Sequence, residues 1–131
     1  RDSGPAELTR AALESVGFQT RDLFKAFDAD GANMDNGAAL RVDGGMAAND
    51  WAMQFLADIL DTPVERPELF ETTALGAALL AGMHSGVYPG PRELARKWQC
   101  GARFEPAMDA VTRTALLDRW RTALRRTLYN G

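Results

Sequence analysis

Short extended runs alternating with helical patterns place this chain in the α/β class, in the order helix, strand, helix, strand, helix and a further C-terminal helix. Three observations carry that expectation. Apolar residues recur at helical spacing in several stretches, β-compatible runs at 39–43 and 62–67 separate them, and glycine, proline and asparagine gather at the joints. With 131 residues, 46% of them hydrophobic, the chain can bury one core as a single domain. Two clear strands are few for a self-sufficient sheet, so either further polypeptide completes it or a strand escapes the periodicity.

Ser3-Gly4-Pro5 is a helix-start signal, followed by Leu8, Ala12, Val16, Leu23 and Phe27 with Arg10, Glu14 and Arg21 between them. The spacing predicts an amphipathic helix of roughly 20 residues. Residues 28–39, DADGANMDNGAA, have loop composition. Asp28, Asp30 and Asn33 alternate as EF-hand ligands do, but the sixth position from Asp28 is Asn33 where Gly is needed, and the twelfth is Ala39 where Glu is needed. The stretch therefore reads as a solvated loop leading into a strand at 39–43.

Residues 47–61 return to helical spacing, with Trp51, Phe55 and Ile59 on one stripe and Ala52, Leu56 and Leu60 on the next. So wide an apolar face predicts deep packing. TPVERP at 62–67 is extended, and Pro67 suits a strand end. In ETTALGAALLAGMHSG, 71–86, Thr72 or Thr73 is the expected N-cap and Gly86 the stop. Ala74, Ala78 and Gly82 form one small-residue stripe and Ala77 and Ala81 another, which predicts a helix lying close against a sheet or a second helix. A short helix is expected over 91–98, an extended piece over 102–104 and a break at Pro106. A last helix over 111–129 sets Leu117, Trp120, Leu124 and Leu128 on one face. Arg113, Arg119, Arg121, Arg125 and Arg126 lie largely elsewhere, clustered toward the end where the helix dipole favours cations.

A net charge of -3 leaves no electrostatic footprint for nucleic acid, and the longest apolar run, 74–83, is too short for a bilayer span. Neither nucleic acid nor membrane is an expected partner. Cys100 is the sole cysteine, so no internal disulfide can form, and with no apolar signal segment a reducing, cytoplasmic setting is expected. The chain begins at Arg1 without an initiator Met and enters a helical pattern within a few residues, as a piece of a longer polypeptide would.

The chemical question lies in RVDGGMAAND, 41–50. A glycine pair between a strand and a helix start leaves N–H groups pointing outward and removes the Cβ that would hold a phosphate or ribose away. The stretch is neither a P-loop, which needs G-x-x-x-x-G-K-[ST], nor the G-x-G-x-x-G dinucleotide fingerprint. A plain turn and a ligand-contacting turn both fit it, and Asn49 can either cap the helix or hydrogen-bond a ligand at its mouth. Asp43 can serve catalysis or hold the turn. His84 lacks Cys, Asp or Glu at metal-ligand spacing and reads as a local polar or capping group. Cys100 reads as a packing residue, and Glu65 with Arg66 as an exposed pair on a strand. No acid and base pair forms a complete active site, so no catalytic residue and no metal ligand is assigned.

Longer strings are more specific. ALESVGFQTRDLF, LRVDGGMAANDWAMQFLADIL, VERPELFETTALGAALLAG and FEP before a Trp-containing helix resemble, in that order, the C-terminal part of the glycerol kinases. These belong to the FGGY carbohydrate kinases of the actin/hexokinase superfamily. The resemblance covers residues 8–120. Sugar kinases of the wider family tend to read G-G-G at the turn, so D-G-G-x-x-x-N with M-Q-F and V-E-R-P points to the glycerol member.

The resemblance implies a two-domain enzyme in which ribonuclease-H-like cores enclose a cleft, and the γ-phosphoryl of MgATP passes to glycerol, giving sn-glycerol 3-phosphate. For this chain it implies an incomplete C-terminal portion of the second, nucleotide-side, actin-like ATPase domain over 1–131, with 107–131 as its C-terminal helical segment. Carried over residue by residue, the nucleotide contacts fall on Gly45, by backbone approach to the phosphate side, and on Asn49, by its polar side chain, with Gly44 shaping the turn. The general base, the glycerol-binding residues and the Mg2+ ligands belong to earlier segments, so the chain alone is expected to be inactive. Expected partners are ATP or ADP, the remainder of the kinase chain and, in the intact enzyme, glycerol and further copies in a homo-oligomer.

Some bacterial members carry a regulatory contact with a phosphotransferase-system protein and a metal-binding Glu after F-x-P. Thr112 stands at that position here, so neither the contact nor zinc is expected. The loop 28–39 also looks slightly longer than usual, which bears on surface shape. The competing reading is a free-standing binding or assembly module that keeps the Gly-Gly turn for structure and offers an exposed apolar face to a partner. Apolar exposure alone does not separate the two readings, whereas the length of the native chain does.

Overall fold

Gly4 and Pro5 open the first helix as the start signal requires. In this computed structural model, which describes residues 3–32, 37–68, 72–96 and 98–129, the Gly4 amide donates to the Glu7 carboxylate at 2.8 Å and Pro5 supplies a pre-set φ at the first helical position. Helix α1 (Pro5–Ala29) runs for 25 residues, longer than the spacing predicts, and takes in Asp28 and Ala29. It closes at Asp30 and Gly31, the latter at φ +87°. Asn33, named with Asp28 and Asp30 in the calcium test, lies outside the described residues.

The buried face of α1 is not the expected one. Leu8, Leu23 and Phe27 are exposed, while Gly17, Phe18 and Phe24 are buried, with Leu13 half-buried beside them. Positions 13, 17 and 24 share a helical face. The reason is Gly17: a Cβ there would stand 3.1 Å from two ring carbons of Phe55, so α1 crosses the next helix at its smallest residue. Hydrophobic periodicity gives glycine no weight and so misses the contact.

Strand β1 (Leu40–Arg41) leads into a single 3-10 turn, Gly45–Ala48, and then α2 (Asp50–Leu60). Helix α2 is the axis of the molecule. Ala52, Met53, Leu56 and Leu60 pack with Phe24, Ala47 and Val64, while Phe55 and Ile59 pack with Phe18 and Leu117. Deep packing of both stripes is therefore met except at Trp51, which is exposed and stacks on Phe55 at 5.5 Å between ring centroids. The helix ends at Asp61 in the left-handed region, φ 58°, where its carboxylate pairs with Arg113.

Strand β2 (Val64–Pro67) pairs in parallel with β1, Leu40 facing Val64. On its other side β2 pairs antiparallel with β3 (Cys100–Phe104), Val64 facing Phe104, with an irregularity between Arg66 and Pro67. So the extended piece expected over 102–104 is a full strand. At the irregular end Gly101 is required, because a Cβ there would lie 2.7 Å from the Glu68 Cα.

Helix α3 (Thr72–His84) starts at Thr72, so Thr72 is helical and the capping position falls on residue 71, outside the described residues. Its end is a Schellman arrangement as the glycine predicts. Gly86 takes φ +74°, its amide bonds the Met83 carbonyl at 3.2 Å and the Val87 amide bonds the Gly82 carbonyl at 2.9 Å. The small-residue stripes pack closely only at Gly82, where a Cβ would overlap the Tyr88 ring; Ala74, Ala77, Ala78 and Ala81 are exposed among the described residues. Helical spacing specifies that a face is smooth, and says nothing of whether the surface that matches it is in the same chain.

Helix α4 (Pro91–Ala95) is shorter than the predicted 91–98. The last helix, α5 (Ala110–Leu128), buries Leu117 and half-buries Trp120 and Leu124, while Leu128 runs beyond the contact and is exposed. Trp120 Nε1 donates to Asp22 Oδ2 at 2.7 Å and its ring stacks on Phe18 at 5.2 Å, tying α5 to α1.

Candidate functional site

The segment Asp43 to Asn49 joins β1 to α2 at one edge of the core. Its entry is held by the sheet, since the Val42 amide donates to the Glu65 carbonyl at 2.9 Å. Gly44 follows at φ +85°, a conformation that a side chain disfavours. The 3-10 turn then closes through Ala47 N to Gly44 O at 3.0 Å and Asn49 N to Met46 O at 3.0 Å. Ala47 faces inward at 1% exposure, while Gly45 and Met46 face solvent.

The two glycines have different physical reasons. Gly44 serves the backbone, as its φ shows. At Gly45 the φ is ordinary, and a Cβ would meet nothing within 4 Å. Neither backbone angle nor packing within the described residues therefore calls for glycine at Gly45. A missing side chain at such a position leaves the backbone open to close approach from outside. The amides of Gly45 and Met46 have no hydrogen-bond partner among the described residues.

Asn49 is both the end of the turn and the N-cap of α2. Its Oδ1 accepts from the Ala52 amide at 3.1 Å, which realises the capping role expected of Asn at this position. The cap uses only the oxygen. The side-chain NH2 is left with two donors at an exposed position, so capping and ligand contact are compatible.

Behind the turn stands Arg66. Its Nη1 lies 2.7 Å from the Ala47 carbonyl and 2.6 Å from Asp50 Oδ1, and its guanidinium sits 5.3 Å from the centre of the Phe104 ring. Glu65 points the other way, pairing with Arg41 at 3.6 Å and Arg103 at 2.5 Å. Sequence reasoning took the two as an exposed pair, and this is a correction. Strand alternation sends neighbours to opposite faces, and each is largely buried with partners of opposite charge. The period of two in VERP was the signal that would have separated them.

The other candidates are exposed, Asp43 at the start of the turn segment and the rest outside it. His84 is exposed at the end of α3. Cys100, expected to pack, is exposed at the head of β3, where its thiol donates to the Ala102 carbonyl at 3.3 Å. The first position of an outer strand offers it no core to enter. Thr112 serves the α5 cap, donating its amide to Asp109 at 2.9 Å. Among the described residues no group of three or more His, Cys, Asp and Glu could hold a metal ion, and no helix is long and apolar enough to cross a membrane.

Comparison with known proteins places this arrangement in a family. Residues 1–85 match the FGGY family of carbohydrate kinases, C-terminal domain. The chain is 59% identical over 131 residues to the glycerol kinase of Allorhizobium ampelinum, covering 100% of this chain and 26% of that protein. It is 62% identical over 125 residues to a glycerol kinase of Cereibacter sphaeroides, covering 95% of this chain and 25% of that protein. Its fold is similar to the crystal structure of Plasmodium falciparum glycerol kinase with ADP, at a TM-score of 0.78 and 31% identity over 99% of this chain and 26% of that chain. The xylulose kinase from Rhodospirillum rubrum follows at a TM-score of 0.68 and 25% identity, over 98% of this chain and 26% of that chain. The chain thus spans 25% to 26% of the length of the curated relatives it matches. With a family match over more than half its residues and these relatives along its whole length, the chain belongs to the FGGY family of carbohydrate kinases.

Proposed function

We propose that this chain is the C-terminal portion of the nucleotide-side domain of a glycerol kinase, and that Gly44, Gly45 and Asn49 form part of its ATP site. The observation that carries the reading is Gly45, which needs no glycine for backbone or packing reasons, set in a chain 59% identical to a glycerol kinase along its full length. A solved relative of similar fold was crystallised with ADP. In the reaction, phosphoryl transfer from MgATP to glycerol, catalysis is mostly positioning and charge stabilisation. Gly45 would let the backbone approach the phosphate side, and the Asn49 NH2 would donate to the nucleotide while its Oδ1 keeps α2 capped. Asp50 at the turn is engaged by Arg66 and is not offered as an Mg2+ ligand. The metal ligands, the general base and the glycerol pocket are assigned to the rest of the polypeptide, which leaves this chain inactive alone. In the complete enzyme the reading adds glycerol, the remaining chain and homo-oligomeric association as partners.

Titration calorimetry with ADP tests it on the complete polypeptide that carries this chain, beside a Gly45→Val variant. Binding by the parent and a loss of roughly a hundredfold in the variant are expected, the valine occupying the space that the ligand needs. Equal heats from both would show that the turn is only structural. A free-standing module is the second reading, favoured by the exposed apolar surface of α3. The mass of the native protein decides between them, since relatives of which this chain is 26% are about four times as long.

A further inference from the structure

A turn that must present Gly45 outward has to be held from its inner side, and a single residue of β2 does this. We propose that Arg66 is the positioning residue of the nucleotide-contact turn, gripping the inner carbonyl of the turn and the first residue of α2 together so that Gly45 and the Asn49 side chain keep their outward placement. The inference rests on the reading of this turn as a nucleotide site and adds a residue two strand positions beyond Val64, outside the glycine motif itself.

The geometry is specific. Ala47 is 1% exposed, so its carbonyl cannot turn to water, and a buried carbonyl needs a partner. Arg66 Nη1 is that partner at 2.7 Å. The same nitrogen forms an ion pair with Asp50 Oδ1 at 2.6 Å. Ala47 lies two residues before Asn49 and Asp50 one residue after it, so one cation spans the residue that would touch the nucleotide. The Arg66 side chain is only 16% exposed, and the ring of Phe104 on β3 lies beside its guanidinium. The brace therefore refers the turn to the sheet, whose register is set by Val64 facing both Leu40 and Phe104.

Asp50 contributes differently. It opens α2 and its side chain is 73% exposed, so the helix does not need its carboxylate for packing. Its charge suits the helix N-terminus and draws the guanidinium toward the turn. A lysine at position 66 could supply charge but not the planar guanidinium whose fixed N–H directions aim a donor at the Ala47 carbonyl.

The test uses the complete polypeptide that carries this chain, with Arg66→Met, Arg66→Lys, Asp50→Ala and Gly45→Val compared for ADP affinity, KM for ATP, KM for glycerol and thermal midpoint. Arg66→Met is expected to weaken ADP binding and raise the KM for ATP by roughly tenfold while the KM for glycerol stays within about twofold, because a misplaced turn spoils one ligand only. Arg66→Lys is expected to restore part of the loss, and Asp50→Ala to show a smaller loss in the same direction with a fall in thermal midpoint of no more than a few degrees. Should Arg66→Met misfold, Asp50→Ala and Arg66→Lys carry the test. Nucleotide affinity unchanged in folded Arg66 or Asp50 variants while Gly45→Val abolishes it would overturn the positioning role alone. If Gly45→Val binds ADP as the parent does, the nucleotide reading fails and this inference with it. Parallel losses for ATP and glycerol would reduce Arg66 to a general structural residue.

Discussion

Gly44 and Gly45 are adjacent and chemically identical, yet the backbone gives them opposite tolerances. At φ +85°, Gly44 sits where a Cβ meets its own carbonyl neighbours, so Gly44→Ala is expected to cost about 1 to 2 kcal/mol. Gly45 has an ordinary φ and open space, so Gly45→Ala is expected to stay within about 0.5 kcal/mol of the parent. Urea denaturation of the two variants checks this, and equal destabilisation would show that Gly45 is held by the fold after all. The string DGG was legible in the sequence as a turn with ligand potential. Which glycine served which purpose was not, because φ and free space are properties of the folded neighbourhood. Arg66 was illegible for a related reason: its partners Ala47 and Asp50 lie 19 and 16 residues back along the chain, and only the pairing of β1 with β2 brings them near.

At the scale of elements, helices were read from the sequence more surely than their partners were. Both stripes of α2, Trp51 apart, and the face of α5 up to Leu124 follow from spacing, but Trp120 finds Asp22 across 98 positions of sequence. The ends of helices are local and correspondingly legible, as Gly86 shows for α3. At α5 the decisive group is Asp109, whose carboxylate the Thr112 hydroxyl and then the Thr112 amide hold below its ordinary value of 3.8. Glu7 at the start of α1 is likewise held below 4.5, by the Gly4 amide first. A carboxylate depressed in the folded state stabilises it above the unfolded value, and that stabilisation is lost as pH falls through the folded value. Acid is therefore expected to fray the first turns of α1 and α5 as pH drops below about 4, with Asp109→Asn, which keeps an acceptor at the cap, blunting the effect at α5. Amide exchange at Thr112 and Arg113 followed by NMR from pH 6 to 3 would show it. No difference between parent and Asp109→Asn would mean that the ionised cap contributes nothing.

For the whole molecule, stability is concentrated along α2 and thins toward α3. Ile59, Leu60 and Val64 are fully buried, and α2 touches α1, β2, β3 and α5. On α3, Leu80 is 66% exposed, and Leu75, Leu79, Met83, Pro91, Ala95 and Trp98 line an open apolar groove toward α4. An apolar helix face left exposed costs solvation that a complete fold would recover. The relatives supply the proportion: the chain corresponds to 26% of their length, so most of the surface that could cover α3 would lie in the remainder. Truncation at two sites then separates the readings. Ile59→Ala is expected to cost about 2 to 5 kcal/mol in the 131-residue chain and in the complete polypeptide alike, because its cavity lies inside this chain. Leu80→Ala is expected to change the stability of the 131-residue chain by less than about 0.5 kcal/mol, and to cost about 2 kcal/mol or more in the complete polypeptide, where α3 is covered. Denaturant titrations of the four proteins against their parents measure both. A Leu80→Ala effect equally small in the complete polypeptide would mean that α3 stays bare there, and that its apolar face serves something other than the fold.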